Sequence, residues 1–193
     1  MFEQLFASVS SKISLTQEDF ERAKPYFMAK KLRKKQYLLQ EGDVGKHVAF
    51  VEKGALRSYT IDDKGNEHIV QFALEGWWIG DNYSLYTGEP STYNIEALED
   101  SELLLISAVS IEQMLESIPK LEKYFRILLQ NSMVALQRRL VASLSLTSEE
   151  KYKRMIKIYP DIIQRVPQHM IASYLGMTPE TLSRIRKQIT IGQ

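Results

Sequence analysis

The period of apolar and polar positions changes twice along the 193-residue chain. Over residues 2–31, Phe20, Ala23 and Phe27 fall at helical spacing with charges between them. Ser14 or Thr16 can cap that helix, with Glu18 and Asp19 in its first turn. Over residues 32–107 the apolar runs shorten to 37–39, 48–51, 55–61, 68–74, 93–98 and 103–106. Turn signals separate them, among them Glu41-Gly42-Asp43, Glu52-Lys53-Gly54 and Gly88-Glu89-Pro90. Asp62-Asp63-Lys64-Gly65-Asn66 lies between two alternating runs and predicts a hairpin. Short strands with glycine turns predict an antiparallel barrel, sandwich or jelly roll. Near Ser110 the helical period returns, with Ile111, Met114 and Leu115 on one stripe.

Ile118-Pro119 breaks that stripe, and no glycine or proline follows until beyond Ser145. Phe125, Leu129, Met133, Leu136, Leu140 and Leu144 then recur at spacings of 4, 4, 3, 4 and 4, which predicts one long helix. Leu121, Tyr124, Leu128 and Ala135 supply a second apolar face. Two apolar faces require two partners. The β-domain can cover one, and the same helix of a second copy the other, through Phe125, Leu129, Met133, Leu136 and Leu140. These textures divide the chain into residues 1–118, a β domain with an N-terminal helix; 119–145, the dimerisation helix; and 146–193, where Thr147-Ser148-Glu149-Glu150 opens a new helix.

The last segment carries the clearest motif. Pro167 stands near a helix start, Met170, Ile171, Tyr174 and Leu175 keep helical spacing, and Gly176 suits the terminating position. Thr178 then caps a second helix, with Pro179 at its first position and Leu182 and Ile185 facing inward. This is a helix-turn-helix, whose second helix puts its N-terminal residues on base edges in a major groove. The candidate DNA-binding residues are Gln168, Thr178, Pro179, Glu180, Thr181, Ser183, Arg184, Arg186 and Lys187. An arginine can pair bidentately with guanine and a glutamate can accept from cytosine. Charge supports this partner. From Lys151 onward eight basic residues oppose Asp161 and Glu180, a charge of 8 − 2 = +6, and the chain total of +1 leaves −5 elsewhere.

The remaining composition serves to exclude. There is no cysteine, hence no disulfide, thiolate metal site or iron–sulfur cluster built from these residues. His47 and His68 stand 21 residues apart without a His-x-His pair, too few ligands for a cupin-type metal site. With no Walker-type loop or Gly-x-Ser-x-Gly, no catalytic residue, metal ligand or enzymatic activity is assigned. Residues 1–10 lack the order of a signal peptide, and no run approaches the roughly 20 apolar residues of a membrane span. The cytoplasm is the expected compartment, with no membrane partner.

Residues 167–184, from Pro167-Gln168-His169 to Leu182-Ser183-Arg184, resemble the helix-turn-helix of Crp/Fnr regulators, relatives of the cyclic-AMP receptor protein. Phe50-Val51-Glu52-Lys53-Gly54 and Gly76-Trp77-Trp78-Ile79-Gly80-Asp81 are similar to their glycine-punctuated cyclic-nucleotide-binding roll. The resemblance implies an α+β protein: an antiparallel, jelly-roll-like β-roll, a long dimerisation helix and a C-terminal helix-turn-helix, here with a short or absent wing. It implies a homodimeric, sequence-specific, DNA-binding transcription regulator of bacterial type. It sets Glu180 and Arg184 on base-contacting positions and Gln168 on a phosphate-contacting one. It also places an effector pocket at Gly80, Asp81, Ser91, Thr92, Leu136 and Gln137. The small-molecule effector is left unidentified and no definite cofactor is assigned. Ser91 stands where the phosphate-binding arginine belongs, which counts against a cyclic nucleotide. The competing reading is an effector-sensing module that signals through protein partners rather than DNA.

Overall fold

The structure, a computed structural model, describes residues 1–191. It begins with helix α1 (Glu3–Ser10), whose first turn would leave orphan N–H groups. The buried Glu52 carboxylate takes two of them, from Leu5 N at 2.8 Å and Gln4 N at 3.2 Å. Helix α2 (Gln17–Ala23) is capped by Thr16, which accepts from Asp19 N. The N-terminal helical texture ends sooner than the sequence suggests, because Met28–Leu32 form strand β1. This is an edge strand on which only Leu32 is buried, so it carries no alternating signal.

Among the described residues seven further strands follow: β2 (Tyr37–Leu39), β3 (Val48–Lys53), β4 (Leu56–Ile61), β5 (Glu67–Ala73), β6 (Trp78–Ile79), β7 (Asn94–Ala97) and β8 (Ser101–Ile106). They make two four-stranded sheets, ordered β1-β8-β3-β6 and β2-β7-β4-β5. Side-chain alternation explains why β3 and β8 read as unbroken apolar runs. Ala49, Val51, Leu103 and Leu105 enter the core between the sheets, with Leu56, Ile79 and Ile95. Val48, Phe50, Leu104 and Ile106 face the other way, onto a helical layer with Leu5, Val9, Phe20, Met114, Leu121 and Tyr124. That layer comprises α1, α2, α4 (Ala108–Ser117, capped by Ser107) and the start of α5 (Lys120–Ser145). Trp78 packs there against Phe27, Phe50 and Phe125 and donates its indole N–H to the Tyr124 hydroxyl.

Between β6 and β7 the chain forms the short helix α3 (Asn82–Thr87). After α5 come α6 (Ser148–Ile158), opened by a Thr147–Glu150 capping box, then α7 (Pro160–Arg165), α8 (Gln168–Leu175) and α9 (Pro179–Ile191). These elements gather into two compact units. One holds residues 1–60 and 71–130, the other 61–70 and the chain from Asn131 onward. The tip of the β4–β5 hairpin thus belongs with the C-terminal helices. Its turn residues announce a hairpin but carry no information on what the tip packs against. Helix α9 runs to the last described residue, Ile191, so the short or absent wing expected after it lies outside the described residues. Among the described residues no helix is long and apolar enough to cross a membrane.

Candidate nucleic-acid interface

Helix α8 ends because Gly176 adopts φ 68°, a left-handed conformation that costs glycine little. The N–H of Met177 then closes onto Ala172 O at 3.0 Å. Thr178 caps α9, accepting from Thr181 N at 3.2 Å. Leu182 and Ile185 are buried, as are Ile171 and Ala172 on α8, so apolar contact fixes one helix on the other. The opposite side of α9 is open. Pro179, Glu180, Ser183, Arg184, Lys187 and Gln188 line one shallow depression there, at intervals of about one helical turn.

The nine residues predicted for DNA therefore separate. Glu180, Ser183, Arg184 and Lys187 share the exposed face with Pro179. The Thr178 and Thr181 hydroxyls lie 3.2 Å apart, and the Thr178 hydroxyl accepts from Thr181 N at the helix cap. Arg186 is half-buried on the flank of α9, and Gln168 is exposed at the first position of α8. Gln188 joins the face without having been expected there, although its place four residues after Arg184 is the signal that could have found it. A hydrogen bond from its own backbone N–H, and another from the Thr178 hydroxyl, hold the Glu180 carboxyl below its usual range. It is therefore an ionised acceptor at neutral pH, beside two cations one and two turns along the helix.

The predicted effector positions do not form an open cradle. Asp81 is the N-cap of α3, accepting from Ser84 N at 3.2 Å. Its other carboxylate oxygen accepts the Ser91 hydroxyl at 2.7 Å, and both residues are buried. Ser91 Oγ also accepts from Tyr93 N at 3.0 Å. Gly80 serves packing: a Cβ there would stand 2.6 Å from Val48 Cγ1. Thr92 is exposed, and Leu136 and Gln137 are exposed on the part of α5 beyond residue 130. A cyclic nucleotide's phosphate needs a buried cation, whereas this cluster presents a carboxylate and a serine already satisfied by one another.

On α5, Leu129, Met133, Leu136 and Leu140 are exposed, at 60–67% of their full surface. Phe125 departs from the sequence expectation. It is half-buried against Trp78 and Tyr124, because the first turns of α5 pack on the β-sheet layer.

Comparison with known proteins matches this architecture. The family model for a cyclic nucleotide-binding domain aligns with residues 29–118. The fumarate and nitrate reduction regulatory protein of Vibrio cholerae is 26% identical over 93% of this chain and 73% of its own length. Regulatory protein HlyX of Actinobacillus pleuropneumoniae is 27% identical over 91% and 75%. The structure of the c-di-GMP responsive global regulator CLP of Xanthomonas campestris superposes with a TM-score of 0.73 at 14% identity, covering 92% of this chain and 93% of that one. Residues 29–118 thus match a cyclic nucleotide-binding domain, and across nine-tenths of its length the chain is similar to regulatory proteins, in keeping with its resemblance to the Crp/Fnr regulators.

Proposed function

We propose that the chain is a sequence-specific DNA-binding transcription regulator that acts in the cytoplasm as a homodimer. The observation that carries this reading is the exposed face of α9, where Glu180, Ser183, Arg184 and Lys187 stand over buried Leu182 and Ile185. Arg184 and Glu180 read base edges, and Lys187, Gln188 and Gln168 position the helix on phosphates. The apolar face Leu129–Met133–Leu136–Leu140 of α5 pairs two copies, so that two α9 helices address two half-sites. The β-roll is the place for a small effector. The internal Asp81–Ser91 pair supports an effector other than a cyclic nucleotide held by its phosphate.

Selection of duplexes from a random-sequence pool tests this, followed by titration of the selected site at rising salt. Affinity is expected to fall steeply with salt. Arg184→Ala is expected to lose about 1–3 kcal/mol and to relax preference at one base pair of each half-site. Equal loss on every sequence refutes a base-reading Arg184. Absence of any salt-sensitive duplex binding supports instead a module that acts through proteins.

A further inference from the structure

Within the second unit, three elements meet at two side chains. The Ser173 hydroxyl of α8 donates to Glu67 O at 2.8 Å and accepts from Ile69 N at 3.0 Å. Both groups belong to β5, the edge strand of its sheet, whose outer backbone groups have no neighbouring strand. Arg139 of α5 donates to the carbonyls of Val70, of Ile69 at 3.1 Å, and of Tyr174 at 3.4 Å. Its guanidinium also lies over the Tyr174 ring, 4.2 Å from the centroid. Tyr174 O is in the last turn of α8, where carbonyls lack intrahelical partners and a cation is favoured. A rigid planar fork thus ties α5, the hairpin and α8 together.

The hairpin is a firm third member. The Asp62 carboxylate accepts from Lys64 N and Asn66 N, each at 2.9 Å, and pairs with His68 Nε2 at 2.9 Å, which closes the turn on itself. By contrast, α5 and α6 are joined through only Leu146 and Thr147. Across that joint Lys151 Nζ donates to Ser143 O at 3.3 Å, and the Arg139 and Ser173 contacts add a second, separate hold on the angle between α5 and the helices after it. Neither Arg139 nor Ser173 lies on the exposed face of α9, so holding this arrangement does not obstruct that face.

We propose that Arg139 and Ser173, gripping the β5 edge, form a clamp that fixes the angle between the dimer helix α5 and the reading pair α8–α9. In a homodimer that angle sets the distance between the two reading helices, and therefore the half-site separation the protein accepts. Arg139 and Ser173 are positioning residues that touch no base. The clamp rests on the DNA-reading homodimer proposed above.

The test uses the full chain and a paired site obtained by selection from random duplexes. From that site a series is made with the half-sites moved apart or together by single base pairs, together with an isolated half-site. The wild type is expected to discriminate between spacings by about tenfold or more, within the usual range of coupling between sites. Ser173→Ala and Arg139→Lys, which keeps the charge but loses the fork, are expected to lose most of that discrimination. They should bind the isolated half-site as the wild type does. The double variant should resemble either single one, because both residues serve one clamp. Variants that keep the wild-type spacing preference, or that lose isolated and paired sites in equal proportion, overturn the clamp alone. A wild-type chain that selects no duplex overturns the DNA reading and the clamp with it. Circular dichroism before each titration separates a loosened clamp from an unfolded chain.

Discussion

The face of α5 offers a demanding prediction through Leu140→Glu. Leu129, Met133, Leu136 and Leu140 are 64%, 64%, 67% and 60% exposed, and they follow the alternating three- and four-residue spacing of a two-helix seam. Full burial of such a side chain is worth about 1.5–3 kcal/mol, so covering the exposed part of Leu140 contributes roughly 1–2 kcal/mol per protomer. Two-fold symmetry counts the loss twice, for roughly 2–4 kcal/mol. The substitution also sets two carboxylates against each other in a seam poor in water, which adds several kcal/mol more. A total of about 5 kcal/mol or above raises the dimer dissociation constant by some 3–4 orders of magnitude. Sedimentation equilibrium across a concentration series measures this directly. Folding of the single chain should persist, because Leu140 is already 60% exposed in it. A variant that dimerises within about threefold of the wild type refutes the seam, and the second copy must then be sought elsewhere. A variant that unfolds would show that the face is covered within the chain itself.

Three further outcomes are expected. Ser91→Ala leaves a buried Asp81 oxygen without its 2.7 Å donor, which should cost about 1–3 kcal/mol and lower the melting temperature by several degrees. An unchanged melt would show that water reaches Asp81. Gly80→Ala forces a Cβ to within 2.6 Å of Val48 Cγ1, and a loss of about 1–3 kcal/mol in urea unfolding is expected from overpacking. His47 has its pKa lowered from 6.5 by burial, then by Lys30 and Lys46. Between the folded and unfolded values the unfolded chain binds the proton more readily, so stability rises with pH there and levels above the ordinary histidine value. His47→Gln should flatten unfolding free energy against pH below 6.5. Equal slopes in the two proteins would assign that dependence to other groups.

Much of the architecture is legible in the sequence wherever the signal spans only a few residues. Thr147 with Glu150, Thr16 with Asp19, and Gly176 followed by Thr178 are caps and stops whose partners lie within one turn. The long stripe of α5 needs only the helical period to be read. Where a strand carries one buried residue, as β1 does, the same reasoning has nothing to count. The short helix α3 is hidden for a different reason: its N-cap Asp81 stands in a stretch that matches a nucleotide-pocket pattern equally well.

Residue types could not say how the candidate sites are wired. Asp81 and Ser91 fit the spacing of a ligand pocket, and only the fold decided that they satisfy each other. Phe125 continues the apolar stripe of α5, and only the aromatic layer around Trp78 decided that it turns inward. Arg139 and Ser173 had no motif at all. Their partners Val70 and Glu67 lie 69 and 106 residues away along the chain, and a backbone carbonyl has the same chemistry at every position. The sequence by itself determined the long helix, most of the strands, the caps within one turn of their partners, and which short helix carries the polar and basic groups suited to DNA, because local sterics and hydrogen bonding settle those. The tertiary structure decided which of those polar groups remain free and which are spent on one another, because that depends on what long-range packing brings within about 3 Å.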